Sequence, residues 1–326
     1  MNSWKIFVPA TTANLGSGFD CLGLALSLYD QFTFFPVEGS VKSAPLYGSK
    51  EESPYAPKGN LVIDSYWAYG KREGVKLPAM KVKIGGDIPS TRGLGSSAAC
   101  SVAGVLAAAL YSGAFGSFQD LEKKLDSSGF YYPMQEKGEA LDAIVEAAVF
   151  MEGHPDNAIP ALFGGLNQSS CQGKRTLYSH LPLSQDLRFL LLIPDFMVST
   201  EEARAILPKE IDRVKACQNI GYLAFLLEGL RTGDRGFLSL GLQDHLHEPF
   251  RKKLIPGFDE IKKRAVEAGA AGCVISGAGS SLLVILDGNS PLTGDYLKAF
   301  GPLPRGWKAL DLRVDEKGPK ITRGEE

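Results

Sequence analysis

An α+β fold is what this sequence predicts, and three observations lead to it. Strand-like and helix-like segments alternate irregularly, the strands fall in clustered hairpin-like pairs, and no internal repeat or low-complexity segment stands out. A length of 326 residues is long for one core, which points to two domains. The polar stretch Cys171–Gln185 lies between apolar strands and marks the boundary, giving domains over 1–175 and 176–326.

Lys5–Val8 reads as a short strand closed by Pro9, and Ala25–Val37 as mostly strand, rich in β-branched and aromatic residues. Val41–Lys58, with three prolines, reads as a surface loop. Asn60–Glu73 is a helix ended by Gly74, and Met80–Ile84 a strand stopping at Gly85-Gly86. Ser97–Tyr111 is Ala-rich and reads as a buried helix. Gly138–Met151 is a further helix, stopped by Gly153 and Pro155, and Leu187–Ile193 is a continuous apolar strand. Lys209–Leu230 has the period of an amphipathic helix, with its Ile, Val, Leu and Phe expected in the core. Asp259–Ala268 is a helix capped by Gly269, Gly272–Ser276 and Ser281–Leu286 are strands around a Gly-rich turn, and Trp307–Val314 is the final strand.

Composition narrows the function. Hydrophobic residues make up 44% and charged residues 22%, as in a soluble globular chain. Net charge is −2 without an unbroken basic block, so neither nucleic acid nor a membrane surface is an expected partner. Apolar tracts are interrupted well short of the roughly 20 residues a membrane helix needs. Residues 1–10 show no signal-peptide pattern. Five cysteines without a C-x-x-C pair point to a reducing cytoplasm. His154, His180, His245 and His247 lack metal-site spacing and read as solvated or capping residues. Phe32, Phe34 and Phe35 have no interleaved basic residues and read as strand aromatics.

Four motifs could carry chemistry. The strongest is Pro89-Ser90-Thr91-Arg92-Gly93-Leu94-Gly95-Ser96-Ser97-Ala98-Ala99. Its glycines allow close approach of backbone to a ligand, and Ser96 and Ser97 open a helix whose free N–H groups attract phosphate. An ordinary Gly-Ser turn capping a helix explains the same residues equally well. It is not a Walker A loop, since no Gly-Lys-Ser/Thr follows; G-x-G-x-x-G and G-x-S-x-G are also missing. The second motif runs from Pro9 to Asp20, where Asn14 and Asp20 could grip an ammonium or simply cap a turn. The third, Glu152-Gly153-His154-Pro155-Asp156-Asn157, offers a carboxylate for Mg²⁺ at a helix end, followed by a tight polar loop, or ordinary helix termination. The fourth is the turn Ser276–Ser281, between two strands.

Taken in order and spacing, the four motifs resemble the GHMP kinases, a resemblance that spans Pro9 to Leu286. PATTANLGSGFDCLGLALSLYD, EGHPDNAIPALFGG, VSTEEARAILP and EPFRKKLIPGF are similar to the homoserine kinase branch. Ser17 and Ser280 stand where many relatives carry proline. The resemblance implies an N-terminal domain like the ribosomal S5 second domain and a ferredoxin-like C-terminal domain. It implies ATP and Mg²⁺ as cofactors, L-homoserine as substrate, threonine biosynthesis as setting, and a homodimer as assembly.

By the same resemblance, Pro89–Ala99 wraps the triphosphate and Asn60 borders the nucleoside. Ser97 and Glu152 hold Mg²⁺, with Glu146 as the alternative carboxylate. Asp20 takes the ammonium of homoserine, and Arg204 and Arg251 its carboxylate, which guanidinium forks bind bidentately. Asn14, Asn157 and Thr200 line the hydroxyl end. Where mevalonate kinase-like relatives carry an aspartate proposed as base, this chain has Asn157, which cannot take a proton. Direct proton transfer to the phosphoryl group is then the expected route. A GHMP kinase for another small alcohol, or a member that binds without turnover, are the alternatives.

Overall fold

The computed structural model describes residues 3–37, 60–114, 139–173 and 175–323. The expected loop over Val41–Lys58 and the first residue of the expected helix at Gly138 lie outside them.

Two antiparallel sheets organise the chain. The first has six strands. They are β1 (Trp4–Asn14), β2 (Gly18–Val37), β3 (Ala79–Gly86), β4 (Leu166–Gln172), β5 (Arg175–Leu181) and β10 (Lys320–Arg323). Their order is β10-β1-β2-β4-β5, with β3 also pairing β2. The second has the order β7-β8-β6-β9. Its strands are β6 (Arg188–Ile193), β7 (Gly272–Ile275), β8 (Leu282–Leu286) and β9 (Lys308–Leu312). The α+β expectation therefore holds. The expected boundary at 175/176 coincides with the start of β5, which pairs β4 within the first sheet.

Pro9 does not close β1, which runs on to Asn14. A register shift between Pro9 and Ala10 lets the ladder pass a residue without an N–H. The polar stretch Cys171–Gln185 is not a linker: it holds the exposed end of β4, at Cys171 and Gln172, and all of β5. Trp307–Val314 contains β9 but is not the last strand: β10 returns to pair β1, with Ile6 opposite Ile321.

Helices α1 (Leu61–Glu73), α2 (Ser96–Ser112), α3 (Glu139–Glu152) and α4 (Pro155–Phe163) pack with the first sheet into one core. Asn60 caps α1 by accepting from Val62 N at 3.1 Å, and Gly74 ends it in a left-handed conformation. The apolar run of β6 reflects burial on both faces. Leu190 and Leu192 meet α9 (Phe258–Glu267) and α10 (Thr293–Phe300), while Phe189, Leu191 and Ile193 join the main core. On that second side lie α6 (Arg213–Thr232) and α7 (Arg235–Gly241), through Leu226, Leu230 and Leu238.

The helix expected over Lys209–Leu230 begins later, where Asp212 accepts from Val214 N and Lys215 N. Its apolar residues are not all core, since Val214, Ile220 and Phe225 are exposed. Two short helices complete the chain, α5 (Thr200–Ala205) and α8 (Glu248–Arg251). Among the described residues, no helix is long and apolar enough to cross a membrane.

Gly104 lets α2 lie directly on α1: a Cβ there would stand 2.1 Å from Val62 O. Alanine normally favours a helix interior over glycine by about 1 kcal/mol, but overpacking costs about 1–3 kcal/mol. Gly104→Ala should therefore lower the unfolding free energy, read as a reduced urea midpoint. An unchanged or raised midpoint would contradict this packing.

Candidate active site

The site lies where the turns of both sheets meet. Thr11 N donates to Leu94 O at 3.1 Å, Gly277 N to Ala13 O at 3.1 Å, and Ser281 N to Arg92 O at 3.2 Å. Ser276 Oγ bonds Gly93 O at 2.7 Å and Thr12 Oγ1 at 2.9 Å. The glycines of the 89–99 loop serve this junction. A Cβ on Gly93 would fall 2.0 Å from Ser276 O and one on Gly95 2.0 Å from Thr11 Oγ1, and both residues have positive φ. The space they leave is filled by protein as much as offered to a ligand.

Gly95, not a serine, occupies the cap of α2, with no side-chain hydrogen bond to the first turn. The opening N–H groups of a 17-residue helix thus face the loop uncapped by a side chain. Ser97 Oγ instead donates to Glu152 Oε2 at 2.7 Å, joining the start of α2 to the end of α3. Burial pushes the Glu152 carboxyl up to about 7, against the pull of His154 and of the Ser97 hydrogen bond. The His154 ring is mostly buried. Burial opposes its charge, but the 2.5 Å contact with Asp156 and the charges of Asp156 and Glu152 outweigh that and hold its pKa above the usual value.

Asp156 and Asn157, expected in a loop, are the first residues of α4 after Pro155, a good first helical residue. Thr11 Oγ1 donates to Asn157 Oδ1 at 2.7 Å, which leaves the amide nitrogen as the free donor. Asn14 holds the β1–β2 turn: its Nδ2 donates to Gly277 O at 2.8 Å and its Oδ1 accepts from Asp20 N at 3.0 Å. Asp20 and Arg204 form a bidentate pair at 3.0 and 3.2 Å. Arg251 is buried, with Nε donating to Ala203 O and Nη1 to Gly277 O. Burial, then the nearby Arg204, pull its pKa down to about 10, so it stays charged at neutral pH.

These groups line one open cleft. Of the residues singled out from sequence, Asn14, Asp20, Thr91, Gly93, Leu94, Gly95, Ser96, Ser97, Glu152, Asn157, Thr200, Arg204 and Arg251 border it. Pro89, Ser90, Arg92, Ala98, Ala99 and Asn60 do not. Arg92 spends its guanidinium on Pro194 O, Asp195 O and Ser90 O, and so fastens the loop to the end of β6. Glu146 lies apart, accepting from Thr176 N at 2.6 Å and bordering a separate cavity with Lys71 and Phe150. His154, Asp156, Gly277 and Ala278 border the cleft without having been given a role from sequence. Only the H-P-D-N run hinted at the first two.

Family models describing the GHMP kinases N terminal domain and the GHMP kinases C terminal match residues 60–165 and 226–293. A homoserine kinase of Clostridium botulinum (strain Alaska E43 / Type E3) is 32% identical over 98% of this chain and 99% of its own. The chain belongs to the GHMP kinases. Another relative, a homoserine kinase of Nostoc punctiforme, is 39% identical over 86% of this chain and 85% of its own. The crystal structure of a homoserine kinase from Cytophaga hutchinsonii superposes with a TM-score of 0.77 at 30% identity, covering 99% of this chain and 98% of that one. Kinase family membership makes ATP the phosphoryl donor of this GHMP kinase, and the two-sheet α+β architecture is the one the resemblance implied.

A carboxyl whose pKa is raised on folding costs stability once it ionises. For Glu152 that cost is absent below about 4.5, grows as pH rises toward 7, and levels off above. Glu152→Gln removes it. Without nucleotide or metal, the variant should match the parent near pH 4 and exceed it by up to about 3 kcal/mol at pH 8. Urea unfolding across that range measures the difference, and a gap independent of pH would refute it.

Proposed function

We propose that this GHMP kinase transfers the γ-phosphoryl group of ATP to the side-chain hydroxyl of L-homoserine, giving O-phospho-L-homoserine and ADP for threonine biosynthesis. Curated relatives 32–39% identical are named homoserine kinases. The observation that carries the reading is the charge layout of one cleft. It combines a carboxylate, Asp20, with two guanidinium groups, Arg204 and Arg251. An α-amino acid presents the complementary pair. Its ammonium suits Asp20 and its carboxylate suits the two arginines, so binding trades the internal Asp20–Arg204 pair for contacts with substrate.

Phosphoryl transfer depends on alignment and charge neutralisation. The uncapped N-terminus of α2 and the main chain of the 89–99 loop suit the triphosphate. Ser97 and Glu152 fit Mg²⁺: both offer oxygen, and the pKa of the buried Glu152 carboxyl stays pushed up to about 7 despite the nearby His154, so a cation there would be favoured. When bound, the metal neutralises charge on the phosphate oxygens. Asn14, Asn157 and Thr200 line the hydroxyl end, where Asn157 Nδ2 can donate to an oxygen but accept no proton. The hydroxyl oxygen forms a bond to the γ-phosphorus, the bond to the β-phosphate oxygen breaks, and the hydroxyl proton passes to a phosphoryl oxygen. The five cysteines are free thiols, as a reducing cytoplasm would keep them.

ADP release with a panel of small alcohols tests the proposal, homoserine being the expected substrate. Its des-amino analogue should be far poorer, and Asp20→Asn should narrow that gap. Arg251→Ala should cut kcat/KM for homoserine at least a hundredfold, since unpairing a buried charge costs about 3–5 kcal/mol, and Arg204→Ala, at a more exposed position, should cut it by a smaller factor, while the KM for ATP barely moves in either. Equal use of homoserine and the des-amino analogue by the parent enzyme would overturn the assignment in favour of a broader small-alcohol kinase.

A further inference from the structure

Arg251 is 2% exposed, and among the described residues no carboxylate forms an ion pair with it. Its hydrogen bonds to Ala203 O at 3.0 Å and Gly277 O at 3.1 Å supply only neutral acceptors. A buried guanidinium held this way is costly; the charges of Asp20, Asp156 and Asp244 favour the cation without forming an ion pair with it. The third contact is aromatic. The Phe19 ring lies with its centroid 5.1 Å from Arg251 Cζ, within the roughly 6 Å reach of a cation–π interaction.

Phe19 is in turn held by a second ring. His247 stacks on it with centroids 5.1 Å apart and planes 21° from parallel. His247 is fully buried, and its Nε2 donates to Gly16 O at 3.0 Å, in the same β1–β2 turn that leads into Phe19. Its own backbone is fixed by Asp244 Oδ2, which accepts from His247 N at 2.8 Å and from Glu248 N at 2.7 Å. His247 caps α8 and Arg251 is its last residue, four positions on. Phe19 therefore reaches from the first sheet to touch two residues one helical turn apart.

We propose that Phe19, backed by His247, is the positioning residue that holds Arg251 ready for the substrate's carboxylate. This rests on the homoserine reading above. A positioning role differs from simple filling of space: leucine would fill much of the volume but has no ring face for the cation. Tyrosine keeps the face.

The experiment compares parent, Phe19→Leu, Phe19→Tyr and His247→Leu in the full-length chain. Phe19→Leu should raise the KM for homoserine about tenfold, worth about 1.4 kcal/mol, with the KM for ATP within twofold and kcat little changed. Phe19→Tyr should restore the parent KM, and His247→Leu should give a smaller rise in the same constant. If Phe19→Leu does not fold, His247→Leu carries the test. An unchanged homoserine KM, an equal rise in both KM values, or failure of tyrosine to rescue would overturn the proposal. A second readout does not depend on the substrate. Exchange of the Arg251 Nε–H, followed by NMR, should quicken in Phe19→Leu. If the parent does not accept homoserine, the functional reading falls, and this exchange alone decides whether Phe19 orders Arg251: faster exchange supports it, unchanged exchange overturns it.

Discussion

Everything at the site depends on the junction at Ser276 and Gly277. The Ser276 hydroxyl bonds both the 89–99 loop, at Gly93 O, and β1, at Thr12. Gly277 receives Asn14 and Arg251 on one carbonyl and returns its N–H to Ala13. Two sheets with separate helices thus meet through hydrogen bonds of main chain and short side chains, which tolerate little displacement. The left-handed glycines at 93 and 95 follow from this closeness, since a side chain at either would be driven into the neighbouring segment.

The junction also explains an electrostatic arrangement that would be unfavourable elsewhere. Burial raises the pKa of Glu152 and lowers that of Arg251, so each is charged at a cost. Asp20 and Arg204, more exposed, neutralise each other across the cleft. Stability is thereby given up at Glu152 and Arg251, the groups proposed to meet a metal and a substrate carboxylate. Preorganised charge of this kind needs little rearrangement at the moment of reaction.

Much of this was legible in the residues, for reasons that differ by element. Asn60 and Gly74 bracket α1 because capping chemistry is local. Glycines with serines announced the start of α2; of the two readings they allowed, a serine cap is not found, and Ser97 bonds Glu152, the residue it was paired with for Mg²⁺. Local reading failed where a partner lies far along the chain. Pro9 looked terminal because the bulge that admits it is a property of the β1–β2 pairing. Cys171–Gln185 looked like a boundary because it is polar, with much of it facing outward. α5, at six residues, is too short to show a period. Asp20, Arg204 and Arg251 could be named one by one, but the pairing of the first two spans 184 positions. Phe19 carried no signal of its own, since an aromatic becomes a cation's support only through a residue more than two hundred positions away.

The return of β10 to β1 has a consequence for how the molecule comes into being. Trp4–Phe7 pair with Lys320–Arg323, which are made more than three hundred residues later. Until those emerge, β1 is a bare sheet edge with unpaired main-chain groups, and Ile6 lacks the buried Ile321 across from it. Closing that contact spans more than three hundred residues, so the first sheet is completed by a strand far along the chain from the one that begins it. The nascent protein must therefore carry this sheet incomplete through the synthesis of all that lies between β1 and β10.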